Sequence, residues 1–334
     1  MKKNSLLVKY LNRPLKELIK SLVYPCLRKW LKNDPSFQDW SQKLVFKEKL
    51  PLRLSINTLR KLLFFPYYQK TTTDLSRRIE CEPNIKLAIV IHAFYLDVFA
   101  EILSQLQFDD KQDIKLYVTT PPVNRKEVEL VLQNFSLPYS IREHENRGRD
   151  ILPFLLMLPE VIEDRRTLVL KLHTKGSNHL NRKNLWKDDL YTKLIGYSQI
   201  NMCLNLFSKY PRLGMIAPEG HVLPMSLYYG SNALRVKRLL GIDKLTTANT
   251  FNLDFIAGSM FYARTKALEP LLELHLGEQD FEPESGQLDG TMAHAVERIF
   301  TWFLPHLGYF LADTNPHSYP IFRYKVTVNH KFTV

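Results

Sequence analysis

Two short charged clusters hold most of the side chains in this chain that are equipped for chemistry. The first reads Glu145-Asn146-Arg147-Gly148-Arg149-Asp150 and the second Lys171-Leu172-His173-Thr174-Lys175. Asn146 and Gly148 permit a tight turn. Backbone amides at the start of a helix expected from Ile151 would point at a bound phosphate, aided by the helix dipole. Arg147 and Arg149 add forked donors that match phosphate oxygens. His173 and Lys175 stand two apart at a strand end and so share a face. Lys171 continues that face into the sheet, where an unpaired charge is costly. It therefore expects a partner, Asp150 or Asp97, or a ligand phosphate. The structural alternative is a plain turn with solvated arginines and satisfied histidines.

The elements around these clusters read as alternating strands and helices. Residues 86–92 form a continuous apolar run that ends in His92 and suits a buried parallel strand. A helix is expected over 94–107, strands over 113–120 and 139–142, and a helix over 125–133. Ile151 to Glu163 should be helical, and 167–172 a strand. Residues 178–190 look like a polar loop entering a helix over 190–209. A fifth strand is expected at 213–218, an irregular stretch with one helix at 222–249, and one strand over 253–262 with Gly258 at a close approach. Helices follow at 267–274 and 291–303, and the tail from 309 alternates like a closing strand. This order predicts βαβ units and a mainly parallel sheet flanked by helices, with ligands at the C-terminal ends of its strands. His92, Asn146, Arg147, Gly148, Arg149, Asp150, Lys171, His173 and Lys175 are then read as one anion-binding rim.

An acidic loop carries the rest. Glu282, Glu284 and Asp289 precede a helix that sets His294, Glu297 and Arg298 on one face. A carboxylate beside a cationic cleft is what a general base activating a hydroxyl needs. The alternatives are a helix cap at Asp289 and an ion pair between Glu297 and Arg298.

Charge divides the chain. Residues 1–80 hold 18 Lys and Arg against 6 Asp and Glu, and residues 81–334 hold 28 of each, so the whole +12 sits in the first part. Within 4–32 an apolar stripe, Leu7, Tyr10, Leu11, Leu15, Leu18, Ile19, Leu22 and Val23, runs beside lysines, with Tyr24 and Trp30 nearby. That pattern suits a basic amphipathic segment lying on an anionic membrane surface through residues 1–32. The neutral remainder speaks against nucleic-acid binding. Cys26, Cys81 and Cys203 are scattered and odd in number, without metal-ligand spacing, which fits a reducing, cytoplasmic setting. No secretory signal or membrane span is expected. Two domains are read, 1–80 and 81–334.

Taken together, several stretches resemble the rhamnan synthesis F (RgpF-like) family of polysaccharide-assembly proteins. They are Ile91-His92-Ala93-Phe94-Tyr95, the 145–150 and 171–175 clusters, Gly214-Met215-Ile216-Ala217-Pro218, 258–264, Phe281-Glu282-Pro283-Glu284, and Gln287-Leu288-Asp289-Gly290-Thr291 through Arg298. The order of elements also resembles a GT-A glycosyltransferase fold. The resemblance implies a glycosyltransferase with rhamnose carried on deoxythymidine diphosphate as donor, acting on a growing polysaccharide or lipid-linked glycan such as an O-antigen. It implies a protein peripheral on the inner face of the cytoplasmic membrane. A GT-A fold commonly ends this strand in a metal-binding Asp-x-Asp. Here it ends in His173-Thr174-Lys175, so no metal ligands are assigned and magnesium or manganese is left as an option. Glu284 is expected as the base, with Asp289 second. Gly258, His294, Glu297 and Arg298 are expected on the acceptor side. The rival reading is a non-catalytic subunit that binds a glycan or lipid carrier.

Overall fold

The computed structural model describes residues 84–109, 111–174, 181–225, 228–242 and 254–314. The chain divides into two units, Met1–Thr71 and Thr72–Val334, and every described residue belongs to the second. The basic segment 1–80, Lys175 and most of the C-terminal tail lie outside the described residues.

The described residues form a mixed α/β domain. Its main sheet has seven strands in the order β3-β2-β1-β4-β8-β5-β9. β1 (Lys86–His92), β2 (Asp113–Thr120), β3 (Tyr139–Glu143) and β4 (Leu168–His173) are mutually parallel. β8 (Phe261–Arg264) runs against both β4 and β5 (Leu213–Ala217), and β5 is parallel to β9 (Phe310–Asp313). A separate pair joins β6 (Val222–Pro224) to β7 (Asp254–Ile256). β1 and β4 are buried almost throughout, which explains their unbroken apolar runs.

Helices cover both faces. On one face Leu87, Ile89 and Ile91 of β1 share a core with α1 (Leu96–Gln105), α2 (Arg125–Leu132), α4 (Asn181–Leu194) and α5 (Tyr197–Lys209). The opposite face is met by α3 (Ile151–Glu163), whose Phe154 ring packs edge-on to Phe261 of β8 and to Phe300. α6 (Ala233–Leu239) and α7 (Met292–Ile299) complete the helices used below.

The chain leaves β1 toward β2 and leaves β4 toward β5, in opposite directions across the sheet. The crevice between the C-terminal ends of β1 and β4 is therefore the topological switch point, where open α/β sheets bind ligands. His92 and His173 are register partners at that point.

Three expectations need correction. Residues 181–190 are the first turns of α4 rather than a loop; their polar composition hides the buried stripe Leu190, Tyr191 and Leu194. α4 and α5 are separate because Gly196 takes φ 98°. The single strand expected over 253–262 is two, β7 and β8, in different sheets. The break falls where Gly258 (φ 91°) and Ser259 (φ 48°) both enter the left-handed region.

Candidate functional site

The loop after β3 is built on a turn that the sequence permits only narrowly. Gly148 has φ 68°, and a Cβ there would meet Leu152 Cβ at 2.5 Å and Phe281 Cδ1 at 2.8 Å. Arg149 follows at φ 56°, a left-handed non-glycine residue that the surroundings must hold in place. They do so by joining this turn to the acidic loop. Arg147 and Pro283 form an isolated antiparallel bridge. Arg147 Nη1 donates to the carbonyls of Glu278 (3.2 Å) and Phe281 (3.3 Å). Arg149 grips Glu284 in a forked pair at 2.9 and 3.3 Å and also donates to the Gln287 carbonyl.

Arg149 Nη1 lies 2.9 Å from His294 Nε2, while Thr291 Oγ1 lies 2.7 Å from His294 Nδ1. A guanidinium can only donate. His294 is thus neutral, with its proton on Nδ1 and directed at Thr291. Burial and the positive charge of Arg149 both hold its pKa below the usual histidine value. Thr291, not Asp289, caps α7: its hydroxyl accepts from His294 N. Asp289 instead serves the segment before α6, accepting from Ser231 N at 3.1 Å and Asn232 Nδ2 at 2.6 Å, with Arg298 at 3.3 Å. Burial alone would raise the Asp289 carboxyl; the bonds from Asn232 and Ser231, with the Arg298 charge, outweigh it and lower its pKa. Glu297 accepts from Gly258 N at 2.8 Å and pairs with Arg298 at 3.2 Å. Glu297 therefore ties α7 to the turn between β7 and β8.

At the switch point a second cluster centres on Asp150, the residue that precedes α3. Lys171 Nζ, 1% exposed, donates to Asp150 and to the Ser259 carbonyl at 2.9 Å. It lies 5.3 Å from the Phe154 ring centroid. Ser259 Oγ and His173 Nδ1 approach the same carboxylate oxygen, the latter at 3.3 Å. Burial would push Asp150 up, but the charges of His173 and Lys171 and the hydrogen bonds from Lys171 and Ser259 hold it far below the carboxylate range. Lys171 is thus a buried counter-ion beneath the rim, and its partner is Asp150 rather than Asp97. His92 is buried beside them with Nδ1 3.0 Å from Thr119 Oγ1. Burial lowers its pKa to about 4, so it is a neutral hydrogen-bonding group at physiological pH.

The structure brings Asp150, Lys171, His173 and His92 to the crevice and joins Arg149, Glu284 and His294 into a neighbouring cluster. Gly258, Glu297, Arg298 and Asp289 form a third. Arg147 is turned onto the backbone of 278–281. Ser259, Thr174 and Asn232 were not singled out in the sequence. Thr174 Oγ1 accepts from Phe94 N and Tyr95 N, both at 2.9 Å, and so fastens the β4 exit to the β1 exit. The one advance signal for Ser259 was its place after Gly258, inside what reads as a strand.

The described residues thus form an α/β domain whose buried polar groups gather at the switch point of its sheet. The chain belongs to the rhamnan synthesis protein F family, whose model matches residues 39–308. This ties it to polysaccharide synthesis. It is 38% identical over 229 residues to the uncharacterized protein WxcX of Xanthomonas campestris pv. campestris strain B100, and equally to WxcX of strain ATCC 33913. The matched stretch covers 69% of this chain and 32% of WxcX, so it spans about a third of those relatives' length.

Solved structures resemble it distantly. A cytidylyltransferase from Leptospira borgpetersenii serovar Hardjo-bovis is 12% identical, with TM-score 0.36 and coverage of 69% of this chain and 76% of that one. Mouse xyloside xylosyltransferase 1 is 8% identical, with TM-score 0.33 and coverage of 70% and 86%. At scores this low nothing is inferred from them. Among the described residues no helix is long and apolar enough to cross a membrane.

Proposed function

We propose that this domain is a GT-A-like glycosyltransferase that moves a sugar, rhamnose in the first instance, from a nucleotide-diphosphate donor to a growing cell-surface polysaccharide or O-antigen. The observation that supports this most is the crevice at the ends of β1 and β4. There His173 stands against a buried carboxylate–ammonium pair, beside a turn that carries a fixed arginine. A departing diphosphate needs preorganised positive charge; His173 and Lys175 supply it in this reading. The acceptor hydroxyl attacks the anomeric carbon, the bond to the diphosphate oxygen breaks, and a carboxylate, Glu284, takes the hydroxyl proton. His-Thr-Lys in place of Asp-x-Asp favours a diphosphate met by side chains, and magnesium or manganese remains to be tested as a helper.

Calorimetric titration of nucleotide sugars into the full chain, with magnesium and with chelator, tests the reading. His173→Ala and Lys175→Ala should each weaken donor binding at least about tenfold, as expected for a lost charge-assisted bond. Unchanged affinity in both would remove the rim from the donor site. One observation favours a second reading, a non-catalytic glycan- or lipid-carrier-binding subunit. Glu284 and Asp289, the two carboxylates assigned to the base, are both held in ion pairs. Release of nucleotide diphosphate from donor without acceptor would favour the enzyme.

A further inference from the structure

An open cavity of about 600 Å³ is lined by Glu145, Asn146, Arg147, Glu278, Gln279 and Pro283. None of the crevice residues, His92, Asp150, Lys171 or His173, lines it. Its volume falls within the range of small-molecule sites, roughly 300–1,000 Å³.

The walls come from two segments far apart in sequence, yet they are fixed to one another. The Arg147–Pro283 bridge joins them, and Arg147 Nη1 donates to the carbonyls of Glu278 and Phe281 in the other segment. His144, buried beneath, reaches the Arg147 carbonyl at 3.2 Å and the Glu278 carboxylate at 3.6 Å. Asp280 accepts from Gly277 N at 2.8 Å and secures the short turn that carries Glu278 and Gln279. A cavity set between pinned walls is preorganised, which lowers the cost of binding.

Charge selects the ligand. Two carboxylates, Glu145 and Glu278, face the one guanidinium of Arg147, so the charged lining is net negative. A diphosphate would be repelled here, whereas it is suited to the crevice. Carboxylates and amides together offer both acceptors and donors, the complement of vicinal hydroxyls on an uncharged sugar ring. Pro283 is followed directly by Glu284, so a saccharide seated here lies next in the chain to the carboxylate proposed as base.

We propose that this cavity is a subsite for a neutral saccharide, the acceptor glycan of the proposed transfer; the word acceptor rests on that reading, while the saccharide site itself does not. Saturation-transfer NMR on the full chain tests it, with methyl α-rhamnoside as the neutral probe and thymidine diphosphate as the anionic one. The wild type should transfer saturation to the rhamnoside. The double variant Glu278→Ala/Gln279→Ala should weaken that binding at least about tenfold, the loss of two or more hydrogen bonds, with thymidine diphosphate affinity unchanged. A rhamnoside signal absent from the wild type, retained in the variant, or displaced by thymidine diphosphate would overturn the proposal. Failure of thymidine diphosphate to bind the wild type would strike the donor reading and leave the saccharide arm standing.

Discussion

At the residue scale the site is defined by which charges are compensated. Asp150 and Lys171 form a buried pair, and removing one partner strands the other; such losses cost about 3–5 kcal/mol. Asp150→Asn should therefore be strongly destabilised in a denaturant melt. Asp150→Asn/Lys171→Met should recover much of the loss, because the two changes are coupled. The sign with pH follows from the depressed Asp150 pKa. Its stabilisation is in full force above the unfolded carboxylate pKa of about 3.9 and fades as pH falls toward the folded value. The stability gap between wild type and Asp150→Asn should thus narrow in acid; a constant gap would contradict the pairing. Asp289 has a lowered pKa too, so Asp289→Asn should lower Tm at neutral pH, by less, since its side chain is 35% exposed. If Asp289→Asn is instead folded and inactive while Glu284→Gln turns over normally, the base is Asp289.

At the scale of elements, the strands and helices that carry the crevice were legible because their periods are clean. The runs 86–92 and 113–120 and the helix from Ile151 match the structure residue for residue. Partnerships between elements were less so. Lys171 announced that it needed a counter-ion, and Asp150 was one of two named partners. The grip of Arg149 on Glu284, 135 residues away, leaves no mark in local pattern, because each residue alone suits a solvated loop. The break at Ala257–Met260 was hidden by apolar residues on both sides of Gly258. Gly148 is where local rule and tertiary demand coincide: positive φ and a Cβ clash with Leu152 and Phe281 act together. Gly148→Ala should cost about 1–3 kcal/mol and loosen the acidic loop, seen as faster amide exchange around 281–290. Wild-type protection in that variant would show that the turn does not set the loop.

At the scale of the whole molecule, charge is partitioned: the excess base lies in residues 1–80 and the remainder is neutral. Polybasic segments gain about 1 kcal/mol per Lys or Arg near an anionic bilayer, and salt screens this attraction. The full chain should sediment with anionic liposomes at low salt and less at high salt, whereas equal sedimentation without residues 1–32 would sink the membrane proposal. The most direct measurement is donor turnover by the full chain. Thymidine-diphosphate rhamnose and a panel of other nucleotide sugars would be supplied with and without a lipid-linked glycan, and released nucleotide diphosphate counted. Release from at least one donor is expected, stimulated by acceptor and reduced about 10²–10⁴-fold in Glu284→Gln with donor affinity intact. Tight glycan binding with no release from any donor would contradict the enzyme and leave the binding subunit.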